Sequence, residues 1–268
     1  MRTGHLEIRE SGIVRSRSQE AEIARSQETE KGPVIRAVFF DVDFTLIYPG
    51  PVFQGEGYRH FCAKHGIGNC DPRTFQAAVA SASALLDESE DHAYDAQFFI
   101  RYIRHIIERM GGAGAAIDTC AAEIYREWAA CHHFSLYEDV LPALRTLRAR
   151  GFLIGLISNT HRSLESFQSH FELDELVSAA VSSSEHGYNK PHPSIFRTAL
   201  RLLAVAPEEA VMVGDSYRHD IEGARTIGMR GVLLRRSARG PLGVDELGEV
   251  GSHGVPVIST LSELPALL

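Results

Sequence analysis

The sequence predicts an α/β protein, a doubly wound parallel sheet interrupted by an all-helical insert. Three observations carry this expectation. Short apolar, β-branched runs without polar alternation recur at 34–40, 152–157 and 210–214, the pattern of parallel strands covered on both faces. From 135 onward such runs alternate with helical stretches, as βαβ units do. Between 54 and 134 the texture changes to alanine-rich stretches of helical spacing. The expected organisation is an extension over 1–33, a core formed by 34–53 and 135–268, and a helical cap over 54–134.

Residues 1–33 mix arginine with glutamate (Arg15, Arg17, Glu20, Glu22) and lack the apolar core of a secretory signal. They read as a solvated tail or loose helix with no chemistry of its own. The first strand follows Gly32-Pro33 and ends in Asp41-Val42-Asp43-Phe44-Thr45, before the breaker Pro49-Gly50-Pro51. Three to five helices are expected in the insert, with clear spacing at 75–86, 97–110 and 115–130. Asp71-Pro72 and Gly111-Gly112 punctuate them. Beyond the insert, a helix over 140–150 stops at Gly151 and a strand follows at 152–157. Helix 164–170, strand 177–181, helix 194–203, strand 210–214, helix 218–227 and strand 231–234 complete the alternation. A last strand at 257–258 follows Pro256 and should lie at the sheet edge. An insert after the first strand sits over the carboxyl ends of the strands, where such folds bind ligands.

With 268 residues, 44% of them hydrophobic, the chain can bury a full core. A formal charge of −8 and a pI near 5.9 argue against a dedicated nucleic-acid surface. No apolar run reaches the roughly 18 residues of a membrane span. Four cysteines without a C-x-x-C pair fit a reduced, cytoplasmic setting. Cys131-His132-His133 has no second ligand pair at a matching distance, so zinc is set aside. The expected state is a monomer or homodimer.

Asp41 and Asp43 stand where the first strand ends. A two-residue step in extended chain returns a side chain to the same side, so both carboxylates can face one crevice. Alone, a D-x-D pair is a weak signal. Ser158 places a hydroxyl at the end of the second core strand, and Lys190 lies in a loop between core elements. Gly214-Asp215-Ser216-Tyr217-Arg218-His219-Asp220 follows a very apolar strand and opens a helix. A carboxylate pair, a hydroxyl, a cation and an acidic loop at one rim are hard to explain by packing. Individually, Ser158 reads as a helix N-cap or an anion ligand, and Lys190 as a solvated charge or the cation of a site. Asp220 reads as a helix-dipole partner or as the residue that orients Lys190 or a metal-bound water. Thr45 reads as structural, holding the turn.

On these residues the chain resembles the haloacid dehalogenase superfamily of phosphohydrolases. The motifs are Asp41-Val42-Asp43-Phe44-Thr45, Leu156-Ile157-Ser158-Asn159, Lys190-Pro191, and Val213-Gly214-Asp215 with Asp220. The resemblance covers roughly 34–268. It implies a Rossmann-like core, a mobile helical cap and Mg²⁺, with Asp41 the nucleophile and Asp43 the general acid/base. Ser158 and Lys190 are the implied phosphate binders, and Asn159 joins them through its backbone N–H or its amide. Asp215 is the implied metal ligand, beside the Asp41 carboxylate and the backbone carbonyl of Asp43; Mg²⁺ prefers such hard oxygens.

The implied activity is Mg²⁺-dependent hydrolysis of a small phosphorylated metabolite through an aspartyl-phosphate. Alternatives are a phosphomutase, which uses the same two aspartates, a 2-haloacid dehalogenase and a non-catalytic scaffold. Asp43 favours phosphoester chemistry, because a departing halide needs no proton. A phosphonatase needs an amine from the cap, where Lys64 is the single lysine. Phe44 and His161 depart from the family pattern, which often has a small residue and an aspartate there. Arg59, His60, Arg101, Arg104 and His105 on the cap either meet an anionic substrate or form a solvated face.

Overall fold

The computed structural model describes residues 34–86, 92–236 and 254–268; the expected tail over 1–33 lies outside them. β1 (Ala37–Phe40) is followed by β2 (Ile47–Pro49), which pairs antiparallel with β3 (Phe134–Leu136). Between those two short strands lie α1 (Gly55–Lys64), α2 (Phe75–Leu86), α3 (Ala96–Arg109) and α4 (Ile117–Glu127). After β3 come α5 (Val140–Ala149), β4 (Leu153–Ser158), α6 (Leu164–His170), β5 (Ala179–Ser182) and α7 (Ser183–His186). The chain continues through α8 (Pro193–Leu203), β6 (Ala210–Gly214), α9 (Gly223–Arg225), β7 (Arg230–Leu234) and β8 (Val257–Ile258).

Six parallel strands form one sheet in the order β5-β4-β1-β6-β7-β8. From β1 the chain builds outward through β4 and β5 on one side, then through β6, β7 and β8 on the other. The winding reverses around β1, and at that point doubly wound sheets open a crevice at their carboxyl ends.

The sequence dictates this arrangement locally. All four residues of β1 are buried, and alternate side chains go to opposite faces. Val38 and Phe40 pack in a cluster with Val140 and Leu144 of α5. Ala37 and Phe39 pack with Phe196 and Ala199 of α8. A strand apolar on both faces demands helices on both.

The inserted helices bury one face each, as their spacing predicts. Ile103, Ile106 and Ile107 do so on α3, and Ile117, Cys120, Ala121 and Ile124 on α4. The Asp95 side chain caps α3 by accepting from the Gln97 N–H at 2.9 Å. The cluster beneath the sheet continues into the insert through Phe53, Tyr58 and Ile107. Cys62, Cys70 and Cys120 are buried there, and the four cysteines are free thiols.

Two elements differ from expectation. The ribbon of β2 and β3 has three residues per strand, too few for a period-2 signal to register, and it brackets the insert. The helix expected over 218–227 is a π-helical turn, Tyr217–Glu222, followed by the short α9. The Ser216 carbonyl accepts from both the Asp220 and Ile221 N–H groups, at 3.0 and 3.4 Å, which widens the turn. Such turns recur at functional sites. β8 lies at the sheet edge. Among the described residues no helix is long and apolar enough to cross a membrane.

Candidate active site

Asp41 leaves β1 with its backbone still held by the sheet, its N–H donating to the Val213 carbonyl at 2.9 Å. Its side chain enters the crevice where the winding reverses, and the residue is only 7% exposed. Lys190, 2% exposed, reaches the same point from the loop after α7. Its Nζ donates to Asp41 Oδ1 at 2.6 Å, to Asp220 Oδ1 at 2.6 Å and to the Ile157 carbonyl at 2.8 Å. An ammonium has three donors, and all three are engaged. A further acceptor can reach Lys190 only by displacing one of these partners. Burial works against the ammonium, but Asp220 and Asp41 outweigh it and hold the Lys190 pKa above its ordinary range.

Asp215 follows β6 directly. The carboxylates of Asp41, Asp215 and Asp220 lie within 4.8 Å of one another. Burial, opposed by Lys190 and aided by Asp220, raises the Asp41 pKa to about 6. Burial and then the charges of Asp41 and Asp220 push Asp215 well above the carboxylate range. Asp220 also accepts from the Ser216 N–H at 3.0 Å. It packs so tightly over β6 that a Cβ at Gly214 would lie 2.2 Å from Asp220 Oδ2; only glycine allows that approach. Three carboxylates share one lysine here, and every donor is a hard oxygen. This set fits a divalent cation of the Mg²⁺ kind, which would relieve the crowded charge.

Asp43 stands outside that cluster but lines the same cavity. It pairs with Arg162, whose Nη1 lies 3.0 Å from Oδ1 and 3.3 Å from Oδ2. Arg162 is 1% exposed; its Nη2 donates to the Trp128 carbonyl at 2.8 Å, and its guanidinium lies 4.3 Å from the Phe134 ring centroid. Burial raises the Asp43 pKa more than Arg162 lowers it. Sequence reasoning missed Arg162. It stands four residues beyond Ser158 in Thr160-His161-Arg162-Ser163, which reads as a solvated turn.

The residues of the second motif separate in role. Ser158 is 1% exposed, and its Oγ finds no hydrogen-bond partner among the described residues. It does not cap a helix; Ser163 does, accepting from the Ser166 N–H. Buried hydroxyls are ordinarily satisfied, so this one has capacity for a further partner. The Asn159 amide is already engaged. Its Nδ2 donates to the Lys190 carbonyl at 3.0 Å and its Oδ1 accepts from the Lys190 N–H at 2.7 Å. The expected phosphate contact through that amide gives way to a clamp on the lysine loop.

Thr45 is buried, and its carbonyl accepts from Arg236 Nη2 at 2.7 Å. Phe44 adopts φ +64°, a left-handed conformation that suits glycine, and its ring lies 6.4 Å from that of Trp128. His161 stacks on Tyr125 at 3.8 Å between ring centroids.

Most of the cap cations stand elsewhere. Arg59 pairs with Glu56, and Arg104 with Glu108 and Asp118, all on the surface. His60 is exposed, and His105 bonds to Ser81 at 2.9 Å. Lys64 pairs with Glu123 at 2.5 Å. Arg101, 3.4 Å from Asp95, lines a cavity of about 630 Å³ together with Asp41, Lys190 and Asp215.

The family described as haloacid dehalogenase-like hydrolase matches residues 35–228. A glyceraldehyde 3-phosphate phosphatase of Methanopyrus kandleri is 31% identical over 214 residues, 76% of this chain and 85% of that protein. The crystal structure of a HAD phosphatase from Thermococcus onnurineus superposes with TM-score 0.57 at 25% identity, covering 87% of this chain and 97% of the other. A 2-haloacid dehalogenase from Pseudomonas syringae pv. Tomato superposes with TM-score 0.55 at 26% identity, covering 87% and 98%.

Proposed function

We propose, on the premise that the chain belongs to the haloacid dehalogenase-like hydrolases, that it is a Mg²⁺-dependent phosphatase using Asp41 as a covalent nucleophile. The observation that carries this is the buried Asp41 carboxylate, tied to Lys190 and crowded by Asp215 and Asp220. The carboxylates of Asp41 and Asp215 and the backbone carbonyl of Asp43 would hold the metal. Bound there, Mg²⁺ supplies the positive charge that lets an anionic carboxylate approach an anionic phosphoryl group.

The protein's own groups do the rest. Lys190 fixes the attacking oxygen and offsets negative charge in a dry site. Asp220 and the Asn159 clamp hold Lys190 in place. Asp41 bonds to phosphorus as the ester P–O bond breaks. Asp43, whose pKa burial has raised, gives its proton to the departing oxygen. It then takes a proton from the water that attacks the aspartyl-phosphate, releasing phosphate and restoring Asp41. Ser158, whose hydroxyl has no partner among the described residues, and the backbone N–H of Asn159 receive the phosphoryl oxygens. Arg162 positions Asp43 and touches no reacting atom.

An acid at position 43 favours this chemistry over halide expulsion, where the leaving group needs no proton. The four free thiols suit a reducing, cytoplasmic compartment. The test is p-nitrophenyl phosphate turnover, which should require Mg²⁺ and vanish in Asp41→Asn. Turnover that persists in a clean preparation of that variant removes Asp41 from its role.

A further inference from the structure

A second cavity lies beside the proposed phosphoryl site, between the inserted helices and the sheet. It holds about 220 Å³ and is walled by Phe53, Tyr58, Phe75, Val79, Ile106 and Trp128. It shares Asp43, Phe99 and Asn159 with the larger cavity that contains Asp41, Lys190 and Asp215. The proton donor proposed for the leaving oxygen therefore stands at the junction of the two. Phosphorus bonded to Asp41 on one side leaves the ester alcohol facing the other.

The chemistry of that wall is distinctive. Apart from Asp43, no carboxylate, lysine or arginine lines it among the described residues. His161 lines it as well, and burial lowers its pKa, favouring the neutral ring. The His161 Nε2 has no hydrogen-bond partner among the described residues. Besides Asp43, the polar groups on the wall are limited, among the described residues, to Tyr58, Tyr102, Tyr125, Asn159, Thr160 and His161. A polyol or amino-acid moiety placed here would therefore lose most of its water hydrogen bonds to aromatic and aliphatic faces, and the exchange is unfavourable. An apolar ring gains by the same transfer. A cavity of about 150 Å³ with apolar walls accepts benzene, so 220 Å³ takes one ring and a short linker.

We propose that this cavity is the leaving-group site, and that the substrates are phosphomonoesters of alcohols bearing one aromatic or comparably sized apolar group. The inference rests on the phosphatase function proposed above. As the P–O bond breaks, the alcohol takes the Asp43 proton and departs into the apolar cavity.

The test compares 2-phenylethyl phosphate with ethyl phosphate and glycerol phosphate, all alkyl esters, so leaving-group acidity does not decide the result. The ring should raise kcat/KM over ethyl phosphate by roughly 10- to 100-fold. Val79→Phe fills the cavity and should bring that ratio toward one. Trp128, the single tryptophan, borders the cavity. Its fluorescence should change saturably with 2-phenylethanol, and this reports binding without turnover. If Val79→Phe does not fold, the ratio and titration on the wild-type chain decide. A ratio near one, or no saturable change, with Asp41-dependent hydrolysis of ethyl and glycerol phosphates, overturns the aromatic class and leaves the phosphatase standing. Absence of Asp41-dependent hydrolysis of every ester overturns the phosphatase and this proposal with it.

Discussion

Arg162, acting through Asp43, shows how much a site depends on a group that never touches the substrate. Arg162 is almost wholly buried, and Asp43 is its ion-pair partner. Removing one member of a buried pair strands the other. Arg162→Met should therefore lower stability by roughly 3 kcal/mol in urea unfolding, and adding Asp43→Asn should recover part of that loss. Strict additivity of the two would contradict the pairing. In kinetics, Asp43→Asn should reduce kcat by about 10²- to 10⁴-fold, measured with an alkyl ester whose leaving group needs protonation. Asp41, Asp43, Lys190 and Asp215 were legible in the sequence because each follows a strand or loop at fixed chain order. Arg162 was not, because its partners Asp43, Trp128 and Phe134 are remote in sequence and meet only in the fold. The Asn159 clamp was hidden likewise, since its partner lies 31 residues on.

Among the elements, the loop from Asn159 to Arg162 ties the core to the insert, through His161 on Tyr125 and Arg162 on Trp128. Burial lowers the His161 pKa, so the folded chain binds a proton there less readily than the unfolded chain. That contribution to stability is complete above the usual histidine value of about 6.5 and is lost as pH falls below it. His161→Phe keeps the stack and lacks the titration. Its Tm should hold up better than that of the parent from pH 6.5 to pH 5, and parallel curves would refute the assignment. Long periodic helices such as α2 and α3 were readable from spacing. The ribbon of β2 and β3 was not, because three residues carry no period. The π-helical turn after β6 escaped as well; its cause is one carbonyl, on Ser216, serving two N–H groups.

At the scale of the whole molecule, this doubly wound sheet brings the carboxylates of Asp41, Asp215 and Asp220 together where its winding reverses. The sequence forecast that architecture, because β1 and β6 are apolar throughout, but not the aromatic cavity, whose walls come from residues spread between 43 and 161. The clustered carboxylates oppose folding without a cation. Asp215→Asn should therefore raise metal-free stability at neutral pH by about 1 kcal/mol, seen as a higher Tm in calorimetry. The same variant should lose the Tm increase that Mg²⁺ gives the parent. An unchanged Mg²⁺ response would place the ion elsewhere. The central claim is that the Asp41 carboxylate takes the phosphoryl group. It is tested most directly by acid-quenching a single turnover within its burst and locating the phosphate by peptide mass spectrometry. A phosphoryl adduct on Asp41, absent in Asp41→Asn, is the predicted result; full turnover with no adduct, or an adduct on another residue, would contradict it.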